Sequence, residues 1–114
     1  SNKIMERGIL MEAQARDMYD LLTGNEVEIV GLCYKDEDKR FSCSPDGLIG
    51  KDGEIEIKNP TSAVHIGYLL ENKLPTDYFC QTQGQLFVTG RKWLDFFSFY
   101  PQCKSARSNG HTFQ

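Results

Sequence analysis

Residues 44–58 read SPDGLIGKDGEIEIK, and this stretch decides the fold. Its last five residues alternate charged side chains with isoleucine, which is the period-two pattern of a strand that buries one face. The triplet at 51–53 (Lys-Asp-Gly) is typical of a hairpin turn. We therefore predict a β-hairpin whose second strand, 54–58, turns Ile55 and Ile57 toward the core.

The other face of this strand carries Glu54, Glu56 and Lys58. Glu56 and Lys58 are about 6.5 to 7 Å apart along a strand. If the turn is centred near residue 52, Asp46 comes to within about one residue of them across the pair, a register that the sequence alone does not fix. Two carboxylates at this distance can hold a hard divalent cation, with the backbone carbonyl of Ile57 as a further ligand. The cation would polarise a phosphate and lower the pKa of a bound water, and Lys58 would stabilise either the hydroxide nucleophile or the charge that develops on the phosphate. The ordinary alternative is a surface hairpin with solvated charges.

The segments around this hairpin predict helices and short strands. Residues 3–23 are mostly good helix formers, and Gly24-Asn25 supplies a stop. The remaining predictions are strands at 26–34, 41–49 (interrupted by Pro45) and 93–100, a turn at 35–40, helices at 61–72 and 76–89, and an undecided polar tail after Pro101. The order is helix, three-stranded meander, two helices, strand. It predicts a single α/β (α+β mixed) domain over residues 1–114, with a small mixed sheet flanked by helices.

One face of the first helix mixes small, apolar and acidic residues. Steps of four and three align Gly8, Glu12, Ala15, Tyr19 and Leu22 along that face. A charged carboxylate is unexpected within a stripe of small and apolar side chains, so Glu12 is a candidate functional residue.

The composition is that of an ordinary globular domain with an acidic balance. Its 114 residues carry a net charge of −3, whereas nucleic-acid-binding domains are usually basic. A site that concentrates carboxylates around bound cations would account for part of this acidic balance, because the cations neutralise the carboxylates. Charged residues at the start exclude a signal-peptide core, and no run of eighteen apolar residues occurs. We expect a cytoplasmic protein without a membrane span.

The four cysteines lie at positions 33, 43, 80 and 103. Their spacing fits no common zinc pattern. We expect four reduced, mostly buried thiols. The alternative is a four-cysteine iron–sulfur cluster, which would need the four side chains to converge.

Four blocks of this sequence follow one another in a characteristic order. They are Glu6-Arg7-Gly8 followed by Glu12, the Ser44 to Lys58 stretch, the glutamine-rich 81–90 segment QTQGQLFVTG, and the aromatic strand that leads to Tyr100-Pro101. Together they resemble the phage lambda exonuclease and YqaJ-type viral recombinase family of the PD-(D/E)xK nuclease superfamily. The resemblance runs from about residue 6 to residue 103. It implies a restriction-endonuclease-like core, and family members are generally longer at both ends than this sequence.

The resemblance also implies a role for each site residue. Asp46 and Glu56 would be direct ligands of Mg²⁺, for which Mn²⁺ can substitute, and Ile57 would contribute its carbonyl. Glu12 would act at a second metal, directly or through water. Lys58 would be the catalytic lysine.

Two further residues receive roles from the resemblance. Gln81 would help to hold the reactive groups or the DNA, and Ser44 would bind a DNA phosphate through its hydroxyl. Without the resemblance, a glutamine-rich helix face more often indicates ordinary solvent-exposed surface.

The function implied is a 5′-to-3′ exonuclease on linear double-stranded DNA in phage or prophage recombination. A single-strand annealing protein would be its partner, and three subunits would form a ring around DNA in the bacterial cytoplasm. One alternative is a structure-specific or restriction-like endonuclease. Another is a non-catalytic DNA-binding module with a vestigial site.

Overall fold

The computed structural model describes residues 2–110, and side chains through residue 108. It contains three α-helices, one 3₁₀ turn and seven strands in that range. In chain order these are α1 (Lys3–Thr23), β1 (Val27–Glu28), β2 (Cys33–Tyr34), β3 (Ser42–Cys43), β4 (Gly47–Ile49), β5 (Gly53–Lys58), α2 (Ser62–Glu71), the 3₁₀ turn (Thr76–Tyr78), α3 (Phe79–Thr89), β6 (Trp93–Ser98) and β7 (Ala106–Gly110).

The main sheet has five strands in the order β1-β4-β5-β6-β7, which places β5 at its centre. The predicted hairpin is confirmed, because β4 and β5 pair antiparallel with Gly47 opposite Ile55 and Ile49 opposite Gly53. Strands β5 and β6 are parallel. A parallel pair needs a long crossover, which here is the segment that contains α2 and α3. The fold is thus the mixed sheet with flanking helices that the sequence predicts.

Two glycines allow close packing around the hairpin. A Cβ atom on Gly53 would lie 2.1 Å from the ring of Trp93, and one on Gly47 would lie 2.2 Å from Cγ1 of Val27. Both distances are far below van der Waals contact. Glycine is therefore required where the hairpin meets its neighbouring strands.

Each face of the sheet packs against a different set of helices. Ile55 and Ile57 join a cluster with residues of α1, as the alternation of β5 predicts. The opposite face, toward α2 and α3, holds a second cluster of Leu86, Leu94 and Phe96. Complete burial of one such apolar side chain contributes about 1.5–3 kcal/mol, so these clusters fix the position of β5.

Helix α1 has the predicted bounds, but its packing differs from the predicted stripe. The side chain of Asn2 caps its start by accepting from the amide of Met5 at 2.8 Å, and Gly24 ends it in the left-handed conformation. Ala15 and Tyr19 are fully buried, whereas Leu22 is 59% exposed. The stripe therefore meets the sheet only in its middle part.

The antiparallel pairing of the predicted three-stranded meander is confirmed, but its first two strands are each interrupted. The 26–34 strand consists of two separate short strands, and so does the 41–49 strand. Strand β1 pairs with β4, while β2 and β3 form a separate two-stranded sheet. Pro45, which has no N–H to donate, lies at the break between β3 and β4.

The C-terminal region also differs from its prediction. The aromatic strand ends at Ser98 and not at residue 100, and the undecided tail contains β7, which pairs antiparallel with β6. The predicted helix 76–89 begins with a 3₁₀ turn before α3. The polar sequence of β7 has low intrinsic strand propensity, so its hydrogen bonds to β6 determine its conformation.

The cysteine prediction is confirmed in one respect and wrong in another. All four thiols are free, but Cys80 and Cys103 are exposed, and Cys33 and Cys43 are only half-buried. Over residues 2–110, no set of three or more His, Cys, Asp and Glu side chains is clustered closely enough to hold a metal ion. Within the same range, no helix is long and apolar enough to cross a membrane.

Candidate active site

Asp46 lies immediately before β4, where that strand separates from β5. Its backbone amide donates to the carbonyl of Ile55 at 3.2 Å. Its side-chain Oδ2 accepts from the amide of Ile57 at 2.7 Å. The register of the hairpin therefore holds the Asp46 carboxylate against the end of β5 that carries Glu56, as the sequence predicts.

Glu56 and Lys58 share the β5 face that turns toward α3. The Nζ atom of Lys58 lies 3.2 Å from Oε2 of Glu56. Both side chains are largely shielded, with 12% of Glu56 and 27% of Lys58 exposed. An ion pair in such a shielded position is screened less by salt than a surface pair.

Two glutamines of α3 contact the Glu56 carboxylate. Gln81 donates to Oε2 at 3.3 Å, and Gln85 donates to Oε1 at 3.0 Å. Gln81 is exposed, whereas Gln85 is 7% exposed. Their separation of four residues places both on one face of the helix. Sequence reasoning selected Gln81 and missed Gln85, although the spacing within the glutamine-rich segment was a usable signal.

Repulsion among carboxylates characterises this site. Burial and, after it, the charge of Glu56 raise the pKa of Asp46, which is about 6 in total. The Ile57 amide and Lys58 act in the opposite direction, while Glu12 adds to the increase. Carboxylates that lie this close disfavour each other's ionisation, and a cation bound between them would relieve their repulsion.

Glu12 approaches this group from α1. Its Oε1 forms a 2.8 Å ion pair with Nη1 of Arg16, one turn further along the helix. The negative charge of Glu12 raises the pKa of Asp46. The structure therefore brings Glu12 within electrostatic reach of Asp46, with its carboxylate engaged by arginine.

Ser44 is exposed in the segment that leads to Asp46. Its hydroxyl is on the surface two residues before the carboxylate, and its phosphate-binding role stays a prediction.

Glu54, the third charged residue of the β5 face, is completely buried. Neither of its carboxylate oxygens has a hydrogen-bond partner among residues 2–110. Burial raises its pKa to about 7, although the nearby Thr89 hydroxyl and Arg91 lower it. That hydroxyl already donates to the carbonyl of Gln85 at 3.0 Å. Sequence reasoning placed Glu54 on this face but did not predict its burial.

An aromatic ring covers the lysine. Nζ of Lys58 lies 4.6 Å from the ring centroid of Tyr78, which belongs to the 3₁₀ turn before α3. Nothing in the sequence pattern indicated this contact, because it joins two elements that are distant along the chain.

The donors present fit a hard divalent cation. Asp46 and Glu56 offer carboxylate oxygens, and the Ile57 carbonyl directly follows Glu56 in β5. With so few protein ligands, water would fill most of the coordination shell, as is common for Mg²⁺. Thiol and imidazole ligands, which favour zinc, do not occur in this set.

Comparisons with known proteins identify the family of the chain and agree with its fold. A family model described as the YqaJ-like viral recombinase domain matches residues 1–92. The crystal structure of LHK-Exo in complex with dAMP is similar, with 36% sequence identity and a TM-score of 0.86. The structure of the alkaline exonuclease LHK-Exo from Laribacter hongkongensis has 35% identity and a TM-score of 0.86.

Each alignment covers 98% of this chain and 60% of the LHK-Exo chain. The chain thus spans about three fifths of the length of these structures. No curated protein matches it significantly. The family match covers most of the chain, and the motif order and the hairpin geometry agree with it: the chain belongs to the YqaJ-like viral recombinase family.

Proposed function

We propose that this chain is the catalytic core of a magnesium-dependent exonuclease that hydrolyses DNA phosphodiesters. The observation that carries this proposal is the convergence of Asp46, Glu56 and Lys58 at one end of β5. The similar LHK-Exo structures, one of which is described as an alkaline exonuclease, support the same chemistry. The proposed polarity is 5′-to-3′ on linear duplex DNA, in phage or prophage recombination in the bacterial cytoplasm.

In this proposal Asp46, Glu56 and the carbonyl of Ile57 hold Mg²⁺. Bound there, the cation would polarise the scissile phosphate and lower the pKa of a water molecule. Glu12 would serve a second metal, and its contact with Arg16 would then have to loosen. Burial of Asp46 keeps the charged ligand set in a partly shielded environment, where its attraction for a cation is stronger than in bulk water.

Lys58 would act on the phosphate directly. Its ammonium group carries positive charge to the place where negative charge develops during hydrolysis, which lowers the barrier because the charge is already positioned. Gln85 and Gln81 would hold Glu56 in a fixed orientation through their 3.0 and 3.3 Å contacts. Ser44 would bind a DNA phosphate.

Space for a DNA strand exists beside the site. A cavity of about 480 Å³ lies between α1 and the segments that follow β5 and β6, with Arg7, Asn59 and Tyr100 among its lining residues. Asn59 directly follows Lys58 in the chain. Arg7 offers a charged contact for a phosphate, and Tyr100 offers a surface for a base.

Assembly would compensate for the acidic balance of the chain. A ring of three subunits would enclose duplex DNA, so that the protein would stay on the DNA even if each phosphate contact were weak. The single-stranded product would pass to an annealing protein. Light scattering on the full-length protein that shows a monomer at micromolar concentration would contradict the ring.

The central experiment compares Glu56→Ala with Lys58→Ala. Glu56→Ala removes a ligand, so both Mn²⁺ affinity by calorimetry and single-turnover cleavage should fall. Lys58→Ala keeps the carboxylates, so Mn²⁺ affinity should persist while cleavage drops by roughly 10² or more. Lys92→Ala is the matched control, because Lys92 is an exposed lysine that also faces a carboxylate, that of Asp52 at 3.9 Å.

The substrate set identifies the type of nuclease. Linear duplexes with 5′-phosphate or 5′-hydroxyl ends should be degraded with Mg²⁺ and left intact in EDTA. Cleavage of covalently closed circular DNA would identify an endonuclease instead. Cation binding without cleavage of any substrate would identify a DNA-binding module with a vestigial site.

A further inference from the structure

Lys58 has two close neighbours that act on its ammonium group differently. The Glu56 carboxylate at 3.2 Å draws it toward the metal ligands. The ring of Tyr78 at 4.6 Å attracts it from another direction through the negative face of the π system. The position of the ammonium group is therefore a balance between a carboxylate and a ring.

The ring of Tyr78 is itself held in place by the core. It lies 5.1 Å from the ring of Phe96, which is 2% exposed. Tyr68 packs edge-on against the same Phe96 at 5.5 Å. Burial and, after it, a hydrogen bond with Tyr78 raise the pKa of Tyr68 to about 12. Tyr78 is thus fixed both by its ring and by its hydroxyl.

We propose that Tyr78 is a positioning residue for Lys58, holding its ammonium group away from a closer pairing with Glu56. This role rests on the proposed nuclease function. Without the ring, the ammonium group would move toward the Glu56 carboxylate. Lys58 would then be withdrawn from the phosphate on which it acts. The ring face supplies this attraction, and the hydroxyl only orients the ring.

Substitutions separate the ring from the hydroxyl. Tyr78→Phe keeps the face that contacts Lys58, so its single-turnover cleavage rate should stay within about twofold of the unsubstituted protein. Tyr78→Leu removes the face, and the rate should fall about tenfold, the scale of a shielded cation–π contact. The KM for DNA should change little, because the proposed DNA contacts do not include Tyr78. The affinity for Mn²⁺ should fall, because the ammonium group then lies closer to the Glu56 carboxylate.

The control is Phe87→Leu. Phe87 is another ring of the α3 region with a lysine above it, since Nζ of Lys35 lies 4.5 Å from its centroid. This lysine belongs to the segment after β2 and not to the candidate site. Phe87→Leu removes an equivalent contact and should leave the cleavage rate unchanged. Thermal unfolding of each variant separates loss of positioning from loss of structure.

A double-mutant cycle tests whether Tyr78 acts through Lys58. Tyr78→Leu should slow the unsubstituted protein about tenfold, but it should have almost no effect in a Lys58→Ala background. An equal loss in both backgrounds would overturn the proposal. So would a Tyr78→Leu protein that cleaves at the original rate, or a Phe87→Leu protein that loses as much activity.

A spectroscopic measurement keeps the proposal independent of activity. Nζ of Lys58 lies 4.6 Å from the Tyr78 ring centroid, so the resonance of the adjacent ε-methylene protons should be displaced upfield by the ring current. Its assignment follows from its disappearance in Lys58→Ala. The displacement should persist in Tyr78→Phe and vanish in Tyr78→Leu, even if no DNA is cleaved. An undisplaced resonance in the unsubstituted protein would refute the contact, whatever the fate of the nuclease proposal.

Discussion

Replacing Glu54 by glutamine tests the electrostatics of the central strand. Glu54 is fully buried in β5, and its carboxylate oxygens have no hydrogen-bond partner within the described part of the chain. Glutamine has nearly the same shape and no charge. Glu54→Gln therefore isolates the cost of ionising this group, and we expect it to stabilise the protein at alkaline pH.

The magnitude follows from the pKa. Burial raises the pKa of Glu54 from its ordinary 4.5 to about 7. A carboxyl group with a higher pKa in the folded chain binds its proton more tightly there, so ionisation opposes folding. The cost is absent below the unfolded pKa and complete above the folded one. At 1.36 kcal/mol for each pKa unit, the full cost is about 3 kcal/mol.

The assay is urea denaturation in EDTA at about pH 5 and about pH 8. The quantity of interest is the free energy of unfolding of Glu54→Gln minus that of the unsubstituted protein. This difference should grow by about 2 kcal/mol between the two pH values. Comparing the two pH values removes the constant contribution of the buried amide, which also lacks partners.

Glu28→Gln is the matched control, because Glu28 is an exposed carboxyl on β1 of the same sheet. Its effect should be below about 0.5 kcal/mol at both pH values. A stability difference for Glu54→Gln that does not change with pH would refute the reasoning. It would mean that ionising Glu54 in the folded protein costs no free energy, because some other group compensates its charge.

Three further predictions concern the metal site, the glutamines and the buried ion pair. The pKa of Asp46 is raised to about 6, so below that pH a proton competes with the cation for its carboxylate. Mn²⁺ affinity measured by calorimetry should therefore fall up to about tenfold per pH unit below that value. Unchanged affinity at about pH 5 would exclude Asp46 as a ligand. Gln85→Leu should reduce single-turnover cleavage more than Gln81→Leu, since the Gln85 contact with Glu56 is shorter and shielded; the reverse order would contradict this. Arg107→Met removes the 2.7 Å ion pair of buried Asp95. It should lower the free energy of unfolding by about 2 kcal/mol in urea denaturation. A loss below about 0.5 kcal/mol would show that the other contacts of Asp95 stabilise its charge without Arg107.

The elements that sequence patterns predicted well are those fixed by local geometry. The alternation in β5 placed Glu56 and Lys58 on one face and Ile55 and Ile57 on the other, because a strand has a strict period of two. The hairpin turn then determined where Asp46 lies. Helix α1 ended at Gly24 as predicted, since a left-handed residue is favourable at that cap.

The elements that were missed depend on partners distant in the chain. Strand β7 has the sequence Ala-Arg-Ser-Asn-Gly and becomes a strand only because β6 offers an edge. Both halves of 26–34 pair with halves of 41–49, β1 with β4 and β2 with β3, so the interruption of the ladder depends on the partner segment as well. Tyr78 reaches Lys58 only after α2 and the 3₁₀ turn have crossed the sheet.

The position of β5 links the stability of the fold to its proposed chemistry. As the central strand it buries isoleucines on the α1 side, and this fixes the carboxylates of its other face against α3. Asp46 and Glu54 both have raised pKa values there, so their ionisation opposes folding near neutral pH. A cation bound between Asp46 and Glu56 would offset part of that cost, since ligands that bind only the folded state stabilise it. The arrangement that destabilises the metal-free domain is therefore the one that would give the proposed site its affinity for a divalent cation.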